Sequence, residues 1–195
     1  IYEKDIKLLL AHSSVAQIGY IALGFGLASA ASVTASFIHI GNHALIKGGL
    51  FMAVGSFVAV LGSRANLASF VGIGRRMPIT ATAFTICALS LAGLPLTAGF
   101  ISKLYLVRAI LAADAYFIAG LVLLSSALSL IYLWKIVEVM WMQPAPAKSP
   151  KLFENPAIYL PLWIVALANI WFGVDASWLV AASRAAAAAL LGGGL

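Results

Sequence analysis

The sequence predicts an all-α, polytopic membrane bundle of about five spanning helices, one of them discontinuous, with a short surface helix at the carboxyl end. Three observations predict it. Of the 195 residues 63% are hydrophobic and 9% charged, whereas an average soluble domain carries roughly 25% charged residues. The apolar residues also run in stretches that reach or exceed the roughly 20 residues needed to cross a bilayer. The third observation is the segment GLPLTAG (93–99), midway along one such stretch. Proline lacks a backbone donor and clashes with the preceding turn, so a helix is expected to break there.

Charged or proline-rich connectors divide the chain into helices at 8–28, 33–61, 78–111, 116–142 and 157–173. Residues 62–77 carry Arg64, Arg75 and Arg76, and residues 143–156 hold four prolines with Lys148 and Lys151, so neither connector can span. Residues 1–173 are expected to form one transmembrane domain. Residues 174–195 are alanine-rich and contain Arg184, which fits a surface helix and tail better than a sixth span. Opening on Ile1, with no signal peptide, the chain reads as a fragment or a processed product.

The net charge of +6 sits in short connectors and inside apolar runs rather than along one exposed face, which argues against a nucleic-acid partner. It reports topology instead. Lys4, Lys7, Arg64, Arg75, Arg76, Lys148 and Lys151 all fall on one side of the membrane, and the positive-inside rule makes that side cytoplasmic. A bacterial inner-membrane location follows as the expectation.

Several polar residues stand where an apolar span should exclude them. In helix two His39, His43 and Lys47 recur every four residues and so lie on one slowly turning stripe, with Asn42 beside it and Ser36 a turn earlier. An ion at that depth costs about 2.5–3.5 kcal/mol on the insertion scale. Lys47 is too deep for comfortable snorkelling. A neutral imidazole accepts a proton on one nitrogen and donates from the other, as a relay requires.

Lys103 follows the expected break, with Thr97 and Ser102 near it. Broken helices at membrane depth line cavities or protein interiors, although Lys103 also fits an ordinary helix-end base. Helix one adds Lys7, His12 and Gln17. Lys7 alone fits an interfacial anchor, while His12 and Gln17 can bridge it to the stripe through water.

Catalytic and cofactor signatures are absent: no phosphate loop, no carboxylate pair suited to hydrolysis, and no cluster with metal-ligand spacing. Cys87 lies in an apolar run and reads as a small core residue. No cofactor, metal or enzymatic activity is expected.

DIKLLLAHSSVAQIGYIALG, HIGNHALIKGGLFMAVGS and LSLAGLPLTAGFISKLYL follow one another in order. Together they resemble the carboxyl-terminal part of the antiporter-like membrane subunits shared by Mrp-type cation/proton antiporters and respiratory complex I. The resemblance implies inverted five-helix repeats, each with one broken helix, of which this chain would hold the last five helices. It implies proton-relay roles for Lys7, of the DIK motif, for His39, His43 and Lys47, and for Lys103 after the break. His12 departs from the family, where tyrosine is common.

RRMPITATAFTICALSLAGLPLTAGFISKLYLV and SWLVAASRAAAAALL are most similar to the D-type subunits of Mrp antiporters. The resemblance thus implies other membrane subunits, protons, and Na+ or K+ as partners. The antiporter-like subunits of complex I, or of membrane-bound hydrogenases, are the alternative assembly. A purely structural membrane subunit is the competing reading from another class.

Overall fold

Asp5 opens the bundle. Its carboxylate accepts from the N–H groups of Lys7 (2.9 Å) and Leu8 (3.2 Å), satisfying donors that have no partner at a helix start, so α1 runs over Ile6–Gly26. In the computed structural model, which describes residues 3–62, 65–145 and 152–192, Ser29 and Ser32 cap each other reciprocally. This capping box starts α2 (Ala30–Leu61) three residues before the expected 33. A 3-10 turn (Leu67–Phe70) and the short α3 (Ile73–Arg76) lead into α4 (Pro78–Ala92), which is followed by α5 (Ala98–Ala112), α6 (Tyr116–Trp141), α7 (Pro156–Val174) and α8 (Ser177–Leu190).

Among the described residues α1, α2, α6 and α7 are each long and apolar enough to cross a membrane. The fifth crossing of the sequence reading is the pair α4 and α5, separated at 93–97 as expected. Gly93 ends α4 in the left-handed region (φ +87), its N–H returning to Leu89 O and Ser90 O. Leu96 also takes a positive φ (+66), a conformation that costs a non-glycine residue about 1–2 kcal/mol.

The two half-helices are held together from outside. Thr97, the residue before α5, makes no side-chain cap. Ser90 Oγ of α4 instead accepts from Gly99 N–H (3.2 Å) and donates to Asn169 Oδ1 of α7 (2.9 Å). Asn169 is anchored in turn by donating to Val165 O (2.9 Å). A buried chain of three polar groups therefore fixes the angle at the break.

Backbone bonds gather the basic segments at one end. Ile6 N–H meets Ala65 O, Leu67 N–H meets Lys4 O, Gly72 N–H meets Val139 O and Leu152 N–H meets Arg76 O. The Glu154 carboxylate accepts from Ile79 N–H (3.1 Å) and Thr80 N–H (2.6 Å) at the start of α4, where the helix dipole favours an anion. Arg64, Lys148 and Lys151 lie outside the described residues. Phe57, Phe70, Phe84, Leu50 and Met77 form the apolar core beneath this end.

The helix that follows α7, which ends at Val174, is not isolated on the surface. It packs against α2, and Leu179 Cδ1 stands 3.4 Å from where a Cβ on Gly41 would be. Val180, Ser183 and Ala187 are buried, while Arg184 is exposed and lines a cleft with Thr34 of α2 and Arg108 of α5. Small residues on α2 permit the approach, a packing effect that alanine content alone does not reveal.

A methyl group at Gly99 would come 1.8 Å from Ser90 O, so Gly99→Ala must open the break. Overpacking of this kind costs about 1–3 kcal/mol or more. A lower midpoint in detergent unfolding of the assembled protein is expected, and an unchanged midpoint would show that the half-helices are not locked as described.

Candidate functional site

Lys47 is buried in α2 and turns its ammonium to α1, where it donates to Leu10 O (2.6 Å) and to Ser13 Oγ. The Ser13 and Ser14 hydroxyls donate to the same carbonyl, at 2.8 and 3.2 Å. No carboxylate takes part among the described residues. The charge is held by neutral oxygens inside the bundle.

One turn back along α2, His43 is half-buried and its ring stacks on His39, with centroids 6.1 Å apart and planes at 15°. His39 is buried, and its Nδ1 shares a 2.8 Å hydrogen bond with Ser102 Oγ of α5. Ser102 also has a second acceptor, Gly99 O at 3.2 Å. A hydroxyl that can rotate between these acceptors lets His39 keep the contact in either neutral tautomer.

Lys103 closes the line. A long side chain on a helix leans toward the helix's own amino end, and Lys103 accordingly reaches back to the break. Its Nζ donates to Leu91 O (2.9 Å), Ala92 O (3.0 Å) and Ser126 Oγ of α6 (2.9 Å). These carbonyls end α4, where the helix dipole places negative partial charge. Tyr20 of α1 stands edge-on to His39 (centroids 5.7 Å) and lies under the Lys103 ammonium at 5.9 Å from the ring centre.

Five buried polar atoms along this line have no hydrogen-bond partner: Gln17 Nε2, Tyr20 OH, His39 Nε2, Asn42 Oδ1 and His43 Nδ1. An unmet buried group of this kind costs about 1–3 kcal/mol, and such groups commonly hold internal water. Ser13, Gln17 and Tyr20 are buried on α1 at spacings of four and three residues, facing the stripe of α2. The corridor thus has two polar walls.

Of the residues picked from sequence, the structure brings together His39, His43, Lys47, Lys103, Ser102, Gln17 and Asn42, the last donating to Ala98 O (2.7 Å). Thr97 Oγ1 donates to Leu94 O (2.6 Å) and serves the break alone. Lys7 is exposed in the first turn of α1, six residues and so about 240° round the helix from Ser13. His12 is exposed too, lining a cleft of about 220 Å³ with Glu3, Ser13 and Tyr132. Tyr20, Ser90, Ser126 and Asn169 were missed, because a single hydroxyl or amide in an apolar run carries no signal until its partner helix is known.

A broken-helix membrane bundle with buried bases along its interior is the architecture of an antiporter-like carrier subunit. Residues 1–129 match the family model described as NADH:quinone oxidoreductase/Mrp antiporter, TM, and the chain belongs to that family. It is 40% identical over 146 residues to NADH-quinone oxidoreductase subunit N of Desulforudis audaxviator, a match covering 75% of this chain and 29% of the relative. Its fold superposes on a chain of an archaeal membrane-bound sulfane sulfur reductase with TM-score 0.89 and 30% identity, covering 97% of this chain and 38% of that one. The Mrp complex of Dietzia sp. gives TM-score 0.87 and 25% identity over 98% of this chain and 44% of its counterpart. The chain spans less than half the length of each.

Ordered water within about 3 Å of His39 Nε2, His43 Nδ1 and Tyr20 OH is expected in a high-resolution map of the complete assembly. Protein side chains filling those positions would show the corridor to be dry and structural.

Proposed function

We propose that this chain carries protons within a multisubunit membrane assembly, passing them between Lys47 and Lys103 through His43, His39, Ser102 and intervening water. The observation that supports it is the enclosed line itself. Two lysines are held by neutral oxygens, with histidines and unmatched polar atoms between them. His39 and Lys47 are eight residues apart, about 12 Å along the helix, a gap that His43 divides.

The energetics favour movement over permanent pairing. A carboxylate would trap each ammonium, whereas carbonyls and hydroxyls solvate it without fixing it. Like charges repel more strongly in a low-dielectric interior than in water, so a proton arriving at one lysine disfavours a proton on the other. Coupling between the two ends then needs no moving helix.

In this reading the protein lies in a bacterial cell membrane with its basic end cytoplasmic, and it transports rather than catalyses. Its companions are further membrane subunits, and the exchanged ion is Na+ or K+. The names of the sequence relatives favour a second assembly, a proton-pumping subunit of a quinone-reducing complex, in which the relay is the same and redox energy drives it. Lys7 and His12 belong to the proposal as access residues on the exposed faces of α1.

In the complete assembly, Lys47→Ala or Lys103→Ala is expected to abolish proton flux, read by quenching of a pH-sensitive dye in inverted vesicles, while native gels show intact complexes. Undiminished flux in both variants would refute the relay. Loss of assembly before loss of flux would favour a structural subunit.

A further inference from the structure

The oxygens that hold Lys103 have an origin in the sequence. In a continuous helix Leu91 O would accept from the N–H of residue 95, but Pro95 has none. Ala92 O would accept from Leu96, whose positive φ turns the chain away. Two carbonyls are therefore left open at the end of α4, and Ser126 Oγ, which also donates to Ala92 O (3.1 Å), completes a set of three neutral oxygens around Nζ.

We infer that these three oxygens, Leu91 O, Ala92 O and Ser126 Oγ, form a monovalent-cation site that Lys103 fills with its own ammonium and vacates when it gives up its proton. The inference rests on the reading of this chain as a cation/proton carrier and identifies where the second ion would bind. Carbonyls at the end of a broken half-helix are suited to this task because the dipole adds negative potential without a fixed charge. Divalent ions are disfavoured, since their sites depend on carboxylates and none is present here among the described residues.

Space for the exchange exists beside the lysine. A cleft of about 170 Å³ between α5 and α6 is lined by Gly93, Phe100, Leu104, Val122 and Ser126 together with Lys103 itself. Liquid water occupies about 30 Å³ per molecule, so a retracted side chain or a partly hydrated ion fits. Gly93 admits the lysine stem, because a Cβ there would stand 2.9 Å from Lys103 Cδ.

The exchange conserves charge. The neutral amine keeps its lone pair and becomes a fourth donor to the incoming cation, while the proton leaves along the corridor, so the site carries one positive charge before and after. The titratable groups facing Lys103 are Tyr20 from α1, and His39 from α2 by way of Ser102. Against Nζ, α4 presents carbonyls and α6 presents the Ser126 hydroxyl.

The test is equilibrium binding of radioactive Na+, and of Rb+ in place of K+, to the purified complete assembly from acidic to alkaline medium. Wild-type protein is expected to bind only as the medium turns alkaline, whereas Lys103→Ala binds equally in acid. Adding Ser126→Ala should weaken that binding by roughly tenfold or more. The single variant Ser126→Ala, which leaves Lys103 in place, should weaken alkaline binding in the same sense and serves if Lys103→Ala does not assemble.

An assembled Lys103→Ala protein that binds no cation, binding whose pH dependence survives loss of Lys103, or binding indifferent to Ser126 would each overturn the site. Proton flux separates this result from the broader reading. Absent cation binding alongside flux that Lys47→Ala abolishes removes the cation site alone, whereas flux that survives both lysine substitutions removes the relay.

Discussion

A missing hydrogen-bond donor organises the interior of this protein. Pro95 cannot donate to Leu91 O, and in a membrane an unmet carbonyl has no water to turn to. The chain answers by bending at Gly93 and bringing Lys103 back from two turns further on, so that an ammonium stands where a backbone N–H should be. The carbonyl gains a partner and the lysine gains a place to keep its charge, each removing the other's desolvation penalty. Everything else at the break supports that exchange: Ser90 covers Gly99 N–H, and Asn169 holds Ser90 in position.

Lys47 shows that the principle does not require a break. Its acceptor, Leu10 O, belongs to an intact turn of α1 and already receives the Ser13 and Ser14 hydroxyls, so the ammonium shares an acceptor in use rather than filling an orphaned one. The two lysines thus sit in chemically similar but structurally different cages. At the Lys103 cage the backbone is irregular and a cleft adjoins it. At Lys47 the acceptors belong to regular helix, and the adjoining cleft reaches only as far as Ser13.

The spacing of His39, His43 and Lys47 was legible because four-residue repeats in a helix make a stripe whatever surrounds it, and the break was legible because Pro95 dictates its own consequences. The family was legible from three ordered motifs. Of the second wall of the corridor only Gln17 was legible. Ser13 and Tyr20 follow helical spacing with it, yet serine and tyrosine are ordinary in spans, and only the packing of α1 on α2 shows that they face the stripe. Asn169 was equally silent: one amide in α7 gains meaning only from Ser90 on α4. The place of α8 followed neither from its alanines nor from Arg184, because it depends on the close approach allowed by Gly41 on another helix.

Neutral solvation of both lysines also bears on what the remaining part of a longer subunit can contribute. Relatives of this chain are more than twice its length, and helices beyond those described can bring carboxylates to the exposed faces of α1 and α6. Lys47 and Lys103 are each buried within this chain and already hydrogen-bonded to it. A carboxylate placed nearby would act through the low-dielectric interior as a field rather than as a bonded partner. Such a field can raise or lower the proton affinity of the buried lysines without breaking a hydrogen bond, so the hydrogen-bonding of these lysines and their electrostatic environment are separable features of the fold.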